Sequence, residues 1–325
     1  MARALGLFGC ALALGVAVLA CGGATSVAQA PSGARADAES AIGAEHDADL
    51  AGAQGKTEEL SDATSLAHLK QRLTPGSLVG VQRLNLGDRS FGPGLGGVLG
   101  EAPALDGLVA LDVSDNGLGA DGVSALARSP HLTALRQLDL GGNDIADRGV
   151  DALGRSGRLS ALKVLNLSGN GIGLDGVRAL AGSALLDGIR SLDLSMNPIG
   201  PEGARALAGS PHLANLRSLF LLGCDIGAEG ARALAAAGGL RGVVVLALSG
   251  NGVGDDGARA LAESATLELL QTLDLSANAV GDDGARSLAA SPHLGRLRSL
   301  ELFGNDFGAV GADALKQRFG AVAKL

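Results

Sequence analysis

Leucine recurs through this chain at a fixed interval. Leu78, Leu105, Leu132, Leu159, Leu186, Leu213, Leu240, Leu267 and Leu294 stand 27 residues apart, and aligning the chain on them gives nine copies without a gap. A unit this short cannot bury an apolar face alone, so successive copies must stack and share a core. Within one copy, Leu138 and Leu140 alternate with Gln137 and Asp139. That period of two predicts a short strand with its leucines inward and its polar groups outward. Leu84, Leu111, Leu165, Leu192, Leu219, Leu246, Leu273 and Leu300 repeat the first inward position, and Val113 alone replaces leucine at the second. A third inward column runs Phe91, Leu118, Ile145, Ile172, Ile199, Ile226, Val253, Val280, Phe307, followed by a glycine column from Gly122 to Gly311 and an Ala-Leu-Ala-like helical turn. Glycine there lets the helix backbone approach the layer beneath it.

Between strand and helix lies an asparagine column: Asn116, Asn143, Asn170, Asn197, Asn251, Asn278 and Asn305, with Cys224 in the one gap. A buried turn needs partners for its backbone groups, and a ladder of amides reaching neighbouring turns supplies them. Cys224 is read as structural on the same ground.

These columns resemble the leucine-rich-repeat family, whose consensus permits Asn or Cys at the ladder position. The strand-plus-helix unit is similar to the ribonuclease-inhibitor-like subclass. The copies resemble those of GC-rich bacteria such as myxobacteria, with which 21 Arg against five Lys agrees. The resemblance covers residues 78–320 and implies an α/β solenoid: a horseshoe with a parallel sheet on the concave face, helices on the convex face, and protein binding as its use. The first copy departs, with Val81, Arg89 and Leu95 in the Leu, Asn and Gly columns; terminal repeats are atypical because they cap the array. Residues 57–77 carry Leu60, Leu66, Leu69 and Leu73 at helix-like spacing before Thr74-Pro75-Gly76, and are expected to form an amino-terminal helical cap. Residues 321–325 are expected to be a tail.

The outward strand column reads Asn85, Asp112, Asp139, Asn166, Asp193, Phe220, Ala247, Asp274, Glu301. Strands stack about 4.8 Å apart, and like charges at that distance in water cost only about 0.9 kcal/mol, so a solvated acidic row is tolerable. Phe220, Leu222 and Val245 interrupt the polar face, with Phe303 near the far end. An apolar patch in an acidic surround is a binding-site signature, so these residues with Asp112, Asp139, Asn166, Asp193, Asp274 and Glu301 form the candidate concave surface. On the helices, Asp175–Arg178, Glu202–Arg205, Glu229–Arg232, Asp256–Arg259 and Asp283–Arg286 recur at i,i+3, the acid at the helix start where the dipole favours it. His131, His212 and His293 recur at every third copy, about 14 Å apart, too far for shared metal ligation; the spacing reads as block duplication.

The amino terminus carries a second signal. One cation, Arg3, precedes an apolar run from Ala4 to Ala20, which is the layout of a secretory leader. Its end, Val18-Leu19-Ala20-Cys21, resembles a bacterial lipobox, which implies a signal peptide over residues 1–21 and lipidation of Cys21. Gly22, by the same resemblance, points to the outer rather than the inner membrane. Cleavage after Ala28-Gln29-Ala30 with ordinary secretion, and an uncleaved anchor, stay open as alternatives. Residues 22–56, rich in Ala, Gly, Ser and acids, lack the periodicity to bury a core and read as a flexible tether.

Composition narrows function further. The chain has six Phe and no Trp or Tyr, which removes the aromatic platforms that base and sugar stacking use. A formal charge of −8 lacks the basic footprint of a nucleic-acid binder and favours neutral or basic protein or peptide partners. Three cysteines, Cys10, Cys21 and Cys224, offer neither a disulfide framework nor zinc spacing. No nucleophile elbow, P-loop lysine or metal-spaced His pair is present, so neither an enzyme, a metal, a cofactor nor a small-molecule substrate is expected. The reading is a non-catalytic scaffold on a bacterial envelope; the alternative is a cytoplasmic regulator of a GTPase or signalling enzyme, which would have no use for residues 1–21.

Overall fold

The computed structural model describes residues 56–325. The leader, the tether up to residue 55 and Cys21 lie outside that range. Among the described residues one parallel sheet contains eleven strands in strict chain order. They are β1 (Lys56–Glu59), β2 (Val81–Asn85), β3 (Ala110–Asp112), β4 (Gln137–Asp139), β5 (Val164–Asn166), β6 (Ser191–Asp193), β7 (Ser218–Phe220), β8 (Val245–Ala247), β9 (Thr272–Asp274), β10 (Ser299–Glu301) and β11 (Ala323–Lys324). From β2 to β10 the register advances by one 27-residue copy at each step, so Leu111, Leu138, Leu165 and Leu192 stand in line. A helix follows each of β2 to β10, and each packs on the helices before and after it. Helices need about 8–10 Å between axes while strands need about 4.8 Å. The stack therefore bends with its strands inside, which is the horseshoe the repeat implies.

The core is one continuous aliphatic cluster running the length of the array. Leu138, Leu140, Ile145, Val150 and Leu153 of a single copy are all fully buried. The glycine column has the expected use: a Cβ at Gly176 would lie 2.5 Å from Asp147 Oδ1 and 2.8 Å from Ile172, and one at Gly284 would lie 2.6 Å from Asp255 Oδ1.

Both ends differ from their sequence reading. Residues 57–77 hold a helix, Leu66–Arg72, N-capped by the Ser65 hydroxyl, but also β1, which pairs with β2 and extends the sheet. Residues 321–325 are no free tail, because Ala323 and Lys324 pair with Leu300 and Glu301 as β11. An unpaired strand edge leaves a row of unsatisfied amides and carbonyls, and a short added strand at each end covers it.

Candidate binding surface

The asparagine ladder holds the strand-to-helix turns in register. The Asn143 backbone N–H donates to Asn170 Oδ1 (2.9 Å), and Asn143 Nδ2 donates to the carbonyls of Val113, Leu140 and Gly141, each at 3.0 Å. Asn116, Asn170, Asn251 and Asn278 repeat the longitudinal bond to the next asparagine at 3.0–3.1 Å. Each side chain thus ties its own copy to the preceding one, and the backbone N–H of the same residue ties it to the next. Cys224 is buried, and its thiol donates to Leu194 O at 3.2 Å, which keeps the donor half of the role. In place of an amide oxygen it offers the amides of Asn197 and Met196 only sulfur, and burial pushes the thiol up to about 12. The thiol therefore stays protonated.

Two further groups of side chains that the sequence reading assigned no such role also fasten copy to copy. Asp147, Asp255 and Asp282 accept from the helix-start amides of the following copy, at Gly173 (2.7 Å), Gly281 (2.7 Å) and Gly308 (2.9 Å). The serine hydroxyls of Ser183 and Ser210 donate to Gly154 O and Ala181 O, carbonyls at the preceding helix end. The helix-start signal was legible only as glycine at an N-cap position. The three histidines prove to have partners: Nδ1 of His131, His212 and His293 lies 2.9, 2.8 and 3.1 Å from Asp106, Asp187 and Glu268. On the convex face Arg178, Arg259 and Arg286 pair within their own helix as the spacing implies, whereas Arg205 turns to Glu229 of the next helix at 3.3 Å.

The outward strand column forms a single row across the concave face, with Asp112 beside Asp139, Asp139 beside Asn166, and Asn166 beside Asp193. These four side chains are partly open to solvent. The carboxylates are turned by local amides: Asp112, Asp139 and Asp193 accept from the N–H of Ser114, Gly141 and Ser195 at 2.8–3.0 Å. Asp139 is pushed up to about 7, chiefly by burial between its neighbours and then by the charges of Asp112 and Asp193, against hydrogen bonds from Gly141 and Asn166. Burial, with Asp88 and Asp112 nearby, raises Asp115 as well.

Beyond Asp193 the row closes, contrary to the reading of an exposed apolar patch. Phe220, Val245 and Ala247 are 5%, 3% and 2% exposed and form a small separate core, with Leu222 and Val244 packed on it. Parallel strands set these side chains shoulder to shoulder, so alternation counted along one strand gives the facing direction but not the cover from the next strand. Asp274 and Glu301 are not the solvated members expected either, at 7% and 1% exposure. Burial and the nearby Glu301 charge raise Asp274. Glu301 Oε1 accepts from Lys324 Nζ (2.9 Å) and from Ser299 Oγ (2.6 Å), while its Oε2 is buried without a partner. Phe303 is half-buried. The open part of the predicted surface is therefore Asp112 to Asp193, with an apolar floor adjoining it.

Among the described residues no three His, Cys, Asp or Glu side chains are grouped to hold a metal, and no helix is long and apolar enough to cross a membrane. No curated protein matches the chain. One solved structure similar to it is an internalin from Listeria monocytogenes, 16% identical with a TM-score of 0.45, covering 79% of this chain and 69% of that one. The leucine-rich-repeat profile matches eight segments: residues 108–127, 131–154, 160–181, 189–208, 212–235, 243–262, 267–289 and 297–316. They coincide with the strand-turn-helix units described above and span more than half of the sequence, and the chain belongs to the leucine-rich-repeat family.

Proposed function

We propose that this protein is a non-catalytic scaffold whose concave face takes a basic, extended protein segment across strands β3 to β6. Leucine-rich-repeat proteins typically bind proteins. One observation carries the finer reading: the acidic row is already completed, at its far end, by an amine. Lys324 arrives on an added strand, stands in register beside Glu301 and pairs with it at 2.9 Å. Asp112, Asp139 and Asp193 stand in the same outward column and are partly open to solvent. Phe220 and Val245 adjoin that stretch as a packed floor, so apolar contact there is with a formed surface and not with a pocket.

The copies are read as the ribonuclease-inhibitor-like subclass, and the protein as a lipoprotein tethered through Cys21 on a bacterial envelope, the outer membrane before the inner. The lipobox-like Val18-Leu19-Ala20-Cys21 supports the tether. In a bacterial host the full chain should incorporate labelled palmitate, and Cys21→Ser should abolish the label; undiminished labelling of that variant removes the lipoprotein reading. For the concave face, the test is capture from an envelope extract by the full chain. The triple variant Asp112→Asn/Asp139→Asn/Asp193→Asn should lose a partner that the convex Arg232→Ala retains. Loss with Arg232→Ala and retention by the triple variant would put the site on the helices.

A further inference from the structure

The net charge of −8 conceals a separate cationic line at the amino-terminal edge of the sheet. One residue before the outward position that opens each strand, the column reads Gln82, Val109, Arg136, Lys163, Arg190, Arg217, Val244, Gln271, Arg298. Four consecutive cations stand in its middle. They are held rigidly: the backbone N–H of Lys163, Arg190 and Arg217 each donates to the carbonyl of the preceding member at 2.8 Å. The same bonds join Arg136 to Val109 and Val244 to Arg217, so valine brackets the line at both ends. Arg136, Arg190 and Arg217 are exposed and Lys163 is half-buried. Lys163 and Arg217 reach the loop carbonyls of Gly188 and Gly242, at 3.2 and 3.1 Å, which leans them along the line. At about 4.8 Å per strand the four span about 14 Å.

We infer that this edge binds a linear polyanion, lying along the line across the strands, with phosphate groups on the cations. Guanidinium presents a planar donor fork that matches phosphate oxygens, and three of the four cations are arginine. The width of the line decides between a chain and a membrane. Three residues further along the strands, about 10 Å away, lies the row of Asp112, Asp139 and Asp193. Asp187, paired with His212, is exposed in the loop beside the line. A planar anionic surface broad enough to cover the line would meet those carboxylates, whereas a single chain touches only the cations. Arg158 and Arg241, exposed in loops of the same edge, add charge of the right sign nearby. This surface is distinct from the acidic concave row and selects the opposite charge.

Fluorescence anisotropy of end-labelled inorganic polyphosphate with the full chain tests the inference. Binding is expected to strengthen with chain length up to a few phosphates, and to weaken with salt at a log–log slope of about 3 for four contacts. Arg136→Gln/Lys163→Gln/Arg190→Gln/Arg217→Gln should lose at least tenfold in affinity and flatten the slope. Arg205→Gln/Arg232→Gln/Arg259→Gln/Arg286→Gln removes the same charge from the convex face and should change affinity less than twofold. Val109→Lys lengthens the line by one member and should tighten binding, which keeps the test decisive if the quadruple variant folds poorly. Equal losses from both quadruple sets, no binding at low salt, or binding to phosphatidylglycerol vesicles in preference to polyphosphate would each overturn it.

Discussion

Sulfur is a weak acceptor, and at Cys224 it stands where an amide oxygen elsewhere takes two backbone N–H bonds. In the intact rungs Asn197 Oδ1, for instance, accepts from Asn170 N (3.0 Å) and Ile172 N (2.9 Å). Replacing Cys224 with Asn supplies that acceptor to the Asn197 amide, the Ile199 N–H already donating to Asn197 O at 2.8 Å, and should raise stability by about 1 kcal/mol. Asn170→Ala removes donor and acceptor from a fully formed rung and should cost about 1–3 kcal/mol. Urea midpoints check both, and no difference between the two variants would contradict the ladder account. Asp139 gives a pH prediction. Its folded pKa is raised, to about 7, so between about pH 4, where the unfolded carboxyl ionises, and pH 7 the folded state holds the extra proton. Stability contributed by that proton is complete below pH 4 and falls as pH rises to about 7. Asp139→Asn should therefore raise stability at pH 8 by about 1 kcal/mol and leave it unchanged at pH 4; a variant that loses stability at pH 8 refutes the assignment.

At the scale of elements, the last strand is more than cover. Glu301 is 1% exposed and Lys324 is the amine beside it. Removing one partner of a buried pair strands the other charge, so Lys324→Met should cost about 3 kcal/mol. Adding Glu301→Gln should recover most of that loss, because an amide needs no counter-charge. Thermal melts of the single and double variants decide it. Periodicity made the repeating strands, helices and inward columns legible, since leucine at 27-residue intervals has one stacking solution. It could not show β11, because Ala323-Lys324 carries no period and pairs only through the edge it covers. The candidate surface was legible as a register and misread as an exposure. Asp112 and Asp139 were placed side by side correctly, but the cover over Phe220 and Val245 comes from adjacent copies and lies outside any window along one strand. The caps by Asp147, Asp255 and Asp282 were missed for the same reason, as each acts on a copy 26 residues away.

Across the whole molecule, strand order equals chain order, from β1 to β11. Each copy touches its neighbours, and among the described residues nothing in the sheet joins the two ends. Stability in such an array is a sum of units and the seams between them. The molecule is therefore a tape that can peel one turn at a time when it is pulled. A copy in the stack occupies about 4.8 Å of its length, while its 27 residues extend to about 90 Å once released. Held by its amino terminus and drawn from its carboxyl terminus, the protein should lengthen in steps of about 90 Å. The seam between the copies of Asn197 and Cys224 should part at lower force than the seams joined by asparagine on both sides. Single-molecule extension reads both quantities, and one large release in place of a series would show the copies to be welded together. A chain of this kind, held at one end, yields to load by length and keeps most of its surface folded.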